Sequence, residues 1–488
     1  MAENDKRSEQ SRKVTFSIDK SQNFPDWYDR AIEVAKIVDA RYPIKGMNAW
    51  MPYGFKALKL MLSKMEFLLD DTGHNEVYFP LMIPESVFSK EADFLRGFNG
   101  ESFIVTQAGE TELAERLYIR PTSETGMYDT VKLWIKSEAD LPLKLYQTVN
   151  VFRHETKQTR PLMRVREIVK FKEAHTFHAN AEDAAQQVDE AINVYKRFFD
   201  MMLLPYKVLR TPSWDTFPGA EYNYDFMSVI PDGKGIELAS VINLGKKFSL
   251  AFGIQYQNSQ NDYSYVYQTC YGISERTLGT IMAIHGDNNG LLLPPIIAPT
   301  QAIIVPIYYA GKEQPVNKAC AEIRETLEKS NIRTSLDSRQ NTAGEKFYEW
   351  EAKGVPIRIE VGPKDVENGS AVVVRRDTRE KKPVKVEELS NHIRMTLDDI
   401  SINMKKRADA YLKERILHFD TVEDVKKEYK ERLGLVGLPW CGEERCGRSI
   451  EEKIGIPTIG YDEHKGAKGK CASCGNPGKT EMFFGRTY

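Results

Sequence analysis

Between Thr148 and Glu167 the sequence reads TVNVFRHETKQTRPLMRVRE, and it gathers Arg153, His154, Glu155, Lys157, Arg160, Arg164 and Arg166 between two strand-like runs. The net charge of the whole chain is only −2, so this is a local concentration of fixed cations. Such a loop is either a solvated hairpin tip or a cradle for an anionic ligand. Arginine suits the second role, because its planar fork pairs bidentately with phosphate and keeps its proton. Two further segments carry suitable groups: CYGISERTLG sets Arg276 near the start of a helix, and RPTSETGMYD sets Thr122 and Glu124 two apart behind Pro121. Alone, the first is an ordinary helix start and the second an N-cap signal. No GxxxxGK(S/T) loop and no helix-opening GxGxxG is present, so a bound nucleotide would have its charge met by side chains.

A second constellation lies near the end of the chain. Cys441-x4-Cys446 and Cys471-x2-Cys474 are two close pairs, and four thiolates suit a tetrahedral structural zinc that has no open position. Gly442, Gly447 and Gly475 leave room for knuckle turns. Unligated or disulfide-bonded thiols are the alternative, which a cytosolic setting disfavours. Cys270 and Cys320 fall outside the pattern and read as buried core residues.

The elements that must hold these groups follow from length and periodicity. With 488 residues, 41% apolar and 28% charged, the chain has the profile of a soluble protein of two to four domains. No apolar run approaches the ~20 residues of a membrane span, and no membrane partner is expected. The opening MAENDKRSEQSRK lacks an apolar signal core and reads as a short disordered tail. Residues 26–41 carry Trp27, Ala31, Val34, Ile37 and Val38 at helical spacing, and a second helix ends where Gly73 can form a left-handed cap. NEVYFPLMIPES is an apolar strand that Pro80 and Pro84 confine to an edge or an interface. From Leu143 to about Gln268, strand-like segments surround one long amphipathic helix, AEDAAQQVDEAINVYKRFFDMM, which is an α+β pattern. GLLLPPIIAPTQ marks a boundary, after which strands and helices alternate in an α/β domain of about 100 residues. A charged helical stretch then runs through Arg415 to the cysteines.

Taken together the segments resemble the class II aminoacyl-tRNA synthetases, and within them the prolyl-tRNA synthetases. VYFPLMIPES is similar to the first motif of that class, with Pro80 at the dimer-interface position; FRHETKQTRPLMRVRE to the second; GISER to the third. RPTSE points to proline, and RYPIKGMNAWMPYG, FKEAHTFHA, FPGAEYNYDF and HGDNNGLLLPP extend the likeness. The four cysteines and the final Tyr488 resemble the archaeal and eukaryotic branch, in which the end of the chain folds back toward the active site. The resemblance implies a disordered tail at 1–20, a catalytic domain on an antiparallel sheet at 21–297, an anticodon-binding α/β domain at 298–398 and a zinc-binding domain at 399–488. It implies a cytoplasmic homodimer that activates L-proline with ATP and Mg²⁺ to prolyl-adenylate and passes it to proline tRNA.

The site residues follow from the same resemblance. Arg153 and Arg276 are the expected catalytic residues. Arg153, Glu155, Arg164, Val165, Glu237, Ser240, Ser274 and Arg276 would bind ATP; Thr122, Glu124, Arg153, Phe171, Glu173 and His175 would bind proline. Glu351, Arg358, Lys364 and Asp365 would face the anticodon, and Cys441, Cys446, Cys471 and Cys474 would hold a structural Zn²⁺. Arg164 and Arg276 lie too close in sequence for a large editing insertion between the second and third motifs. The strand ELASVIN departs from the family, with Glu237, Ser240 and Ile242 where relatives commonly carry Gln, Thr and His. Those departures leave two alternatives, the same adenylation with a different amino acid or acceptor, and a non-catalytic RNA-binding paralogue. A zinc-dependent DNA-binding protein, open from composition alone, is made remote by a resemblance that covers the chain.

Overall fold

The computed structural model describes residues 18–90, 100–429 and 434–488; the expected tail at 1–20 lies outside them except for its last three residues. They form two compact units. One takes Ile37–Ile284 with Met404–Tyr488, the other His285–Asn403 with the described residues up to Lys36.

The first unit is built on one eleven-stranded sheet. Its spatial order is Ile416–His418, Leu435–Trp440, Thr480–Phe484, Thr458–Tyr461, Lys207–Arg210, Tyr222–Val229, Gly235–Gly245, Tyr267–Ile273, Glu167–His178, Leu143–Phe152 and Asn75–Glu76. Every pairing is antiparallel except the outermost one at each end. The strands expected on either side of the charged loop, Leu143–Phe152 and Glu167–His178, are direct neighbours.

The long amphipathic helix, Ala181–Met201, covers one face of this sheet against Gly235–Gly245 and Tyr267–Ile273. Asn180 caps it, accepting from the Asp183 N–H at 2.8 Å. Its apolar stripe buries Val188, Ile192, Tyr195, Phe198 and Phe199, and Tyr195 meets Tyr271 edge-on. The opposite face is covered in part, where Leu145, Ile242, Leu244 and Cys270 pack against Met127, Tyr128, Phe248 and Phe252.

Two expectations change in detail. The helix read over 26–41 runs Phe24–Val34; Lys36 then takes a left-handed backbone (φ +56°), and Val38–Asp39 pairs with Ala49–Trp50 as a short ribbon. NEVYFPLMIPES is not one strand. Asn75–Glu76 ends the large sheet, while Met82–Pro84 joins Thr111–Ile119 and Phe103–Ala108 in a separate three-stranded sheet. Pro80 falls between the two pieces, where its missing amide costs no ladder bond. The second helix runs Pro52–Asp71 and is followed by Gly73 at φ +78°, as its sequence requires.

The second unit holds a five-stranded mixed sheet in the order Thr334–Leu336, Ala302–Pro306, Ile357–Val361, Ser370–Arg375 and Lys381–Lys385. The first three strands are parallel and the last two antiparallel. Glu313–Lys329 and Ala343–Ala352 are the connecting helices, the latter with a Thr342/Glu345 capping box. This is the expected α/β architecture.

Candidate active site

Strand alternation lays the floor of the site in two rows. One row of directly opposed residues runs Asp225, Ser240, Gly272, Glu173, Gln147; the next, two residues along each strand, runs Asn223, Ile242, Cys270, His175, Leu145. Residues two apart on a strand share a face, so both rows look the same way. Above them opens a cavity of about 410 Å³. Its wall includes Thr122, Glu124, Arg153, Phe171, Glu173, His175, Glu237, Ser240, Ser274 and Arg276, all named from sequence. Glu155, Arg164 and Val165 are not on that wall. Glu155 and Arg164 pair with each other at 3.7 Å within the charged loop, and Val165 is buried against Val151 and Ile168.

The loop is fixed by its own backbone and arginines. Arg153 N–H donates to the Arg166 carbonyl at 2.9 Å, and Arg153 Nε to the Pro121 carbonyl at 3.0 Å. The Arg153 guanidinium lies 5.7 Å from the centre of the Phe171 ring. Arg276 Nε donates to the Met163 carbonyl at 3.0 Å and Nη1 to the Glu237 carbonyl at 3.3 Å. Desolvation holds Arg276 below its ordinary pKa; Glu237 opposes this, while Arg153 and Arg164 push the same way. Three guanidinium groups therefore repel one another around a space that an anion would relieve. Arg160 and Arg164 each lie 5.8 Å from the Tyr488 ring, which Lys234 approaches at 5.3 Å. Tyr488 N–H donates to the Gly235 carbonyl at 2.9 Å, so the end of the described chain is stitched to the strand carrying Glu237.

The other end of the cavity is acidic and buried. Thr122 Oγ1 lies 2.7 Å from Glu124 Oε2 and 2.5 Å from Glu173 Oε1, and Ser123 Oγ also meets Glu173. One hydroxyl proton cannot serve both carboxylates. Burial, aided by the charge of Glu124, raises Glu173 to about 7, so Glu173 can carry the second proton. His175 Nδ1 is 3.0 Å from the Tyr128 hydroxyl, while its Nε2 is buried without a partner. Burial lowers the pKa of His175, with Glu124 opposing, and so favours the neutral ring.

Several wall residues escaped the sequence reading: Glu101, Asp215, Phe217, Asn223, Asp225 and Cys270. Cys270, read as a core residue, does pack in the core but also presents its sulfur to Glu124 Oε1 at 3.6 Å. Asp225 accepts from Ser240 Oγ at 2.6 Å, Asn223 Nδ2 at 3.0 Å and Thr211 Oγ1 at 3.1 Å; burial and Glu237 raise it to about 7. The carboxylate of Glu237, one of the departures, thus sits beside a second carboxyl. Ile242, another departure, is buried on the wall between Asn223 and Cys270.

In the second unit Glu351 and Arg358 line a smaller cavity of about 180 Å³ with Arg375, Arg376, Arg379 and Lys381. Lys364 and Asp365 sit apart from it on the short helix Pro363–Glu367, where the Asp365 carboxylate accepts from the Gly362 N–H at 2.8 Å. At the end of the chain the four thiol sulfurs lie within 4.8 Å of one another, with Cys474 and Cys441 at 3.8 Å. Zinc–sulfur bonds of about 2.3 Å in a tetrahedron set sulfurs about 3.8 Å apart, so the donor set fits that ion. The thiols differ: burial pushes Cys441 up to about 12 and raises Cys446 as well. At Cys471 burial is outweighed by N–H donors from Cys474, Ser473 and Cys441, which hold it at about 7, so it is the first to offer the thiolate a metal needs. Gly442 and Gly475 adopt positive φ at the knuckles; Gly447 does not, and lies inside the helix Glu444–Ile454 against Trp214.

Comparison with known proteins places three family models along the chain. Residues 105–285 match a tRNA synthetase class II core domain (G, H, P, S and T), 301–396 an anticodon binding domain, and 422–488 a prolyl-tRNA synthetase C-terminal domain. The proline--tRNA ligase of Thermococcus kodakarensis is 46% identical over 474 residues, covering 96% of this chain and 98% of that one. That of Methanothermobacter thermautotrophicus is 44% identical, covering 95% and 96%. The Giardia lamblia prolyl-tRNA synthetase in complex with prolyl-adenylate superposes with a TM-score of 0.93 at 36% identity, over 97% of this chain and 100% of that one. The Cryptosporidium parvum enzyme complexed with halofuginone and AMPPNP gives 0.92 at 31%, over 97% and 99%.

Proposed function

The chain belongs to the prolyl-tRNA synthetases, and from that premise we propose how its residues divide the work of a proline--tRNA ligase. The observation that carries the assignment is the single cavity with a cationic end and an acidic end. In the first step a proline carboxylate oxygen attacks the α-phosphorus of ATP, and the bond to pyrophosphate breaks. In the second, a ribose hydroxyl at the 3′ end of proline tRNA attacks the carbonyl carbon of prolyl-adenylate, and AMP leaves.

Arg153 neutralises the carboxylate and α-phosphate as they approach, and Arg276 stabilises the charge that builds on the phosphates. Glu155 and the backbone at Arg164 and Val165 meet the adenine, while Glu237, Ser240 and Ser274 border the nucleotide. Mg²⁺ enters with ATP as the substrate complex. Holding the two reactants in line supplies most of the remaining acceleration, since the carboxylate is already a nucleophile. At the acidic end, the secondary ammonium of proline brings two N–H donors to Thr122 and Glu124. Phe171, Glu173 and His175 wall the ring.

The Glu351 and Arg358 cavity would read the anticodon, with Lys364 and Asp365 at its periphery; its guanidinium and carboxylate groups suit phosphate and guanine edges. Cys441, Cys446, Cys471 and Cys474 would hold zinc. The ion would tie four points of the chain and supply no chemistry to the reaction. Domain limits of 21–297, 298–398 and 399–488 are supported by the three matched segments, each of which falls inside one of them. A homodimer is supported by exposed Tyr78, Met82, Leu133 and Trp134 near Pro80. Among the described residues no helix is long and apolar enough to cross a membrane, and the cytoplasm is the proposed location.

The test is amino-acid-dependent ATP–pyrophosphate exchange by the purified protein across the standard amino acids. Exchange led by proline is expected, with cysteine and alanine behind it. Exchange led by another amino acid would mean that Glu237 and Ile242 have altered the pocket.

A further inference from the structure

Three side chains at the acidic end are arranged as metal ligands are. Glu124 comes from the helix Glu124–Val131, His175 from Glu167–His178 and Cys270 from Tyr267–Ile273, and the last two are direct cross-strand partners. One donor atom from each lies within 4.8 Å of the others, and all three residues are buried on the wall of the cavity. We propose that this end of the cavity is also a site for a thiophilic divalent cation of the zinc class, held by Glu124, His175 and Cys270 and mutually exclusive with the amino acid.

The distances and the surroundings both favour it. Zinc–sulfur and zinc–oxygen bonds at a tetrahedral angle set the two donors about 3.5 Å apart, and Cys270 Sγ lies 3.6 Å from Glu124 Oε1. Two of the three ligands have an outer partner in place: Thr122 fixes Glu124 Oε2, and the Tyr128 hydroxyl orients His175 through Nδ1. His175 Nε2 is a buried polar atom with no partner of its own. Three protein ligands with a fourth position facing a cavity is the open arrangement of zinc sites that exchange ligands. The neutral imidazole is the ligating form. The thiol proton of Cys270 must leave to solvent as the sulfur–metal bond forms. A thiolate and an imidazole select zinc over the magnesium that accompanies ATP. The exclusion follows from charge, since the proline ammonium and the cation claim the same Glu124 carboxylate.

This inference rests on the reading of the acidic end as the proline site, and the test separates the two. Full-length protein with zinc in its four-cysteine cluster is titrated with Co²⁺ while thiolate-to-cobalt absorption is followed, in the native protein and in Cys270→Ser. One further equivalent is expected, absent in Cys270→Ser and displaced by proline. In ATP–pyrophosphate exchange, Zn²⁺ is expected to raise the apparent KM for proline with little change in kcat. Cys270→Ser, compared with itself with and without Zn²⁺, should show a smaller shift. No further equivalent, or an identical KM shift in both proteins, overturns the proposal. An equivalent lost in Cys270→Ser but unmoved by saturating proline overturns the exclusion, whereas an equivalent displaced by another amino acid that also leads the exchange upholds the site and overturns the proline reading alone.

Discussion

At the scale of single residues, the site is governed by like charges held close together, which an anionic ligand would relieve. Arg276 is the clearest case, desolvated and in the field of Arg153 and Arg164. Arg276→Ala is expected to lower kcat for ATP–pyrophosphate exchange on the order of 10²–10³-fold, the usual cost of losing one preorganised donor to developing charge. Unchanged melting of the variant would show that the loss is one of chemistry. Asp225 gives a prediction of opposite character. Its folded pKa of about 7 stands above the ordinary carboxyl value of 3.8, so the folded state binds a proton the unfolded state has released. Stability from this group is complete at low pH and is lost as pH rises through about 7. In thermal melts, Asp225→Asn should gain on the native protein across that window and hold a constant difference above it. Asp225 was not legible in the sequence, and neither were Asn223 and Cys270. Alternation tells which residues share a face, but not which strands lie side by side. That is fixed by pairing between segments as far apart as Gln147, Glu173, Gly272 and Ser240. Arg153, Glu124 and Arg276 were legible because they sit in short local patterns.

At the scale of elements, the segment between Lys207–Arg210 and Tyr222–Val229 joins the active site to the cysteine-bearing region. Its Asp215, Phe217 and Pro218 line the cavity, while Trp214 packs among the residues around Trp440, Cys441 and Cys446. The Trp214 ring meets Trp440 edge-on with centres 6.1 Å apart, and Arg448 lies 5.4 Å from it. Gly447 is what admits it. A Cβ there would stand 2.5 Å from Trp214 Cη2 and 2.8 Å from Cζ2. Glycine inside a helix is normally a defect of about 1 kcal/mol relative to alanine. Here overpacking, typically about 1–3 kcal/mol, should outweigh that gain, so Gly447→Ala is expected to destabilise. It should also raise the KM for proline by displacing the segment that bears Asp215 and Phe217, and a second change, Trp214→Phe, should restore part of that loss. Sequence reading took Gly447 for a knuckle glycine because its neighbours are cysteines. Its actual reason, a tryptophan more than two hundred residues away, leaves no local trace.

At the scale of the whole molecule, the class of fold and the order of its parts were legible because both rest on long periodic stretches and punctuating prolines. The helix Ala181–Met201 and the α/β alternation after Thr300 needed nothing but their own sequence. The continuity of the large sheet was not legible, since the strands of the cysteine-bearing region extend the same ladder that carries the active site. With zinc proposed at the four cysteines, a strong chelator should therefore lower the melting temperature of the first unit as well as unfold the knuckles, and added zinc, not magnesium, should reverse it. Along that ladder the join is narrow. Between Thr458–Tyr461 and Lys207–Arg210 the one residue pair in register is Tyr461 with Arg210. Side chains supply the other fastenings: a buried apolar cluster joins Leu209, Met227 and Val229 to Leu435, Ile459 and Phe483, and outside it Lys207 meets Asp462 at 2.8 Å while Arg210 and Tyr224 meet Glu463. A force pulling across the strands would find almost no backbone ladder along this line and would be borne there by side chains. Dissolved ions screen pairs near a surface, so brine would slacken the outer stitches of this seam, Arg210 with Glu463 more than the better-buried Lys207 with Asp462, and leave its apolar lining in place.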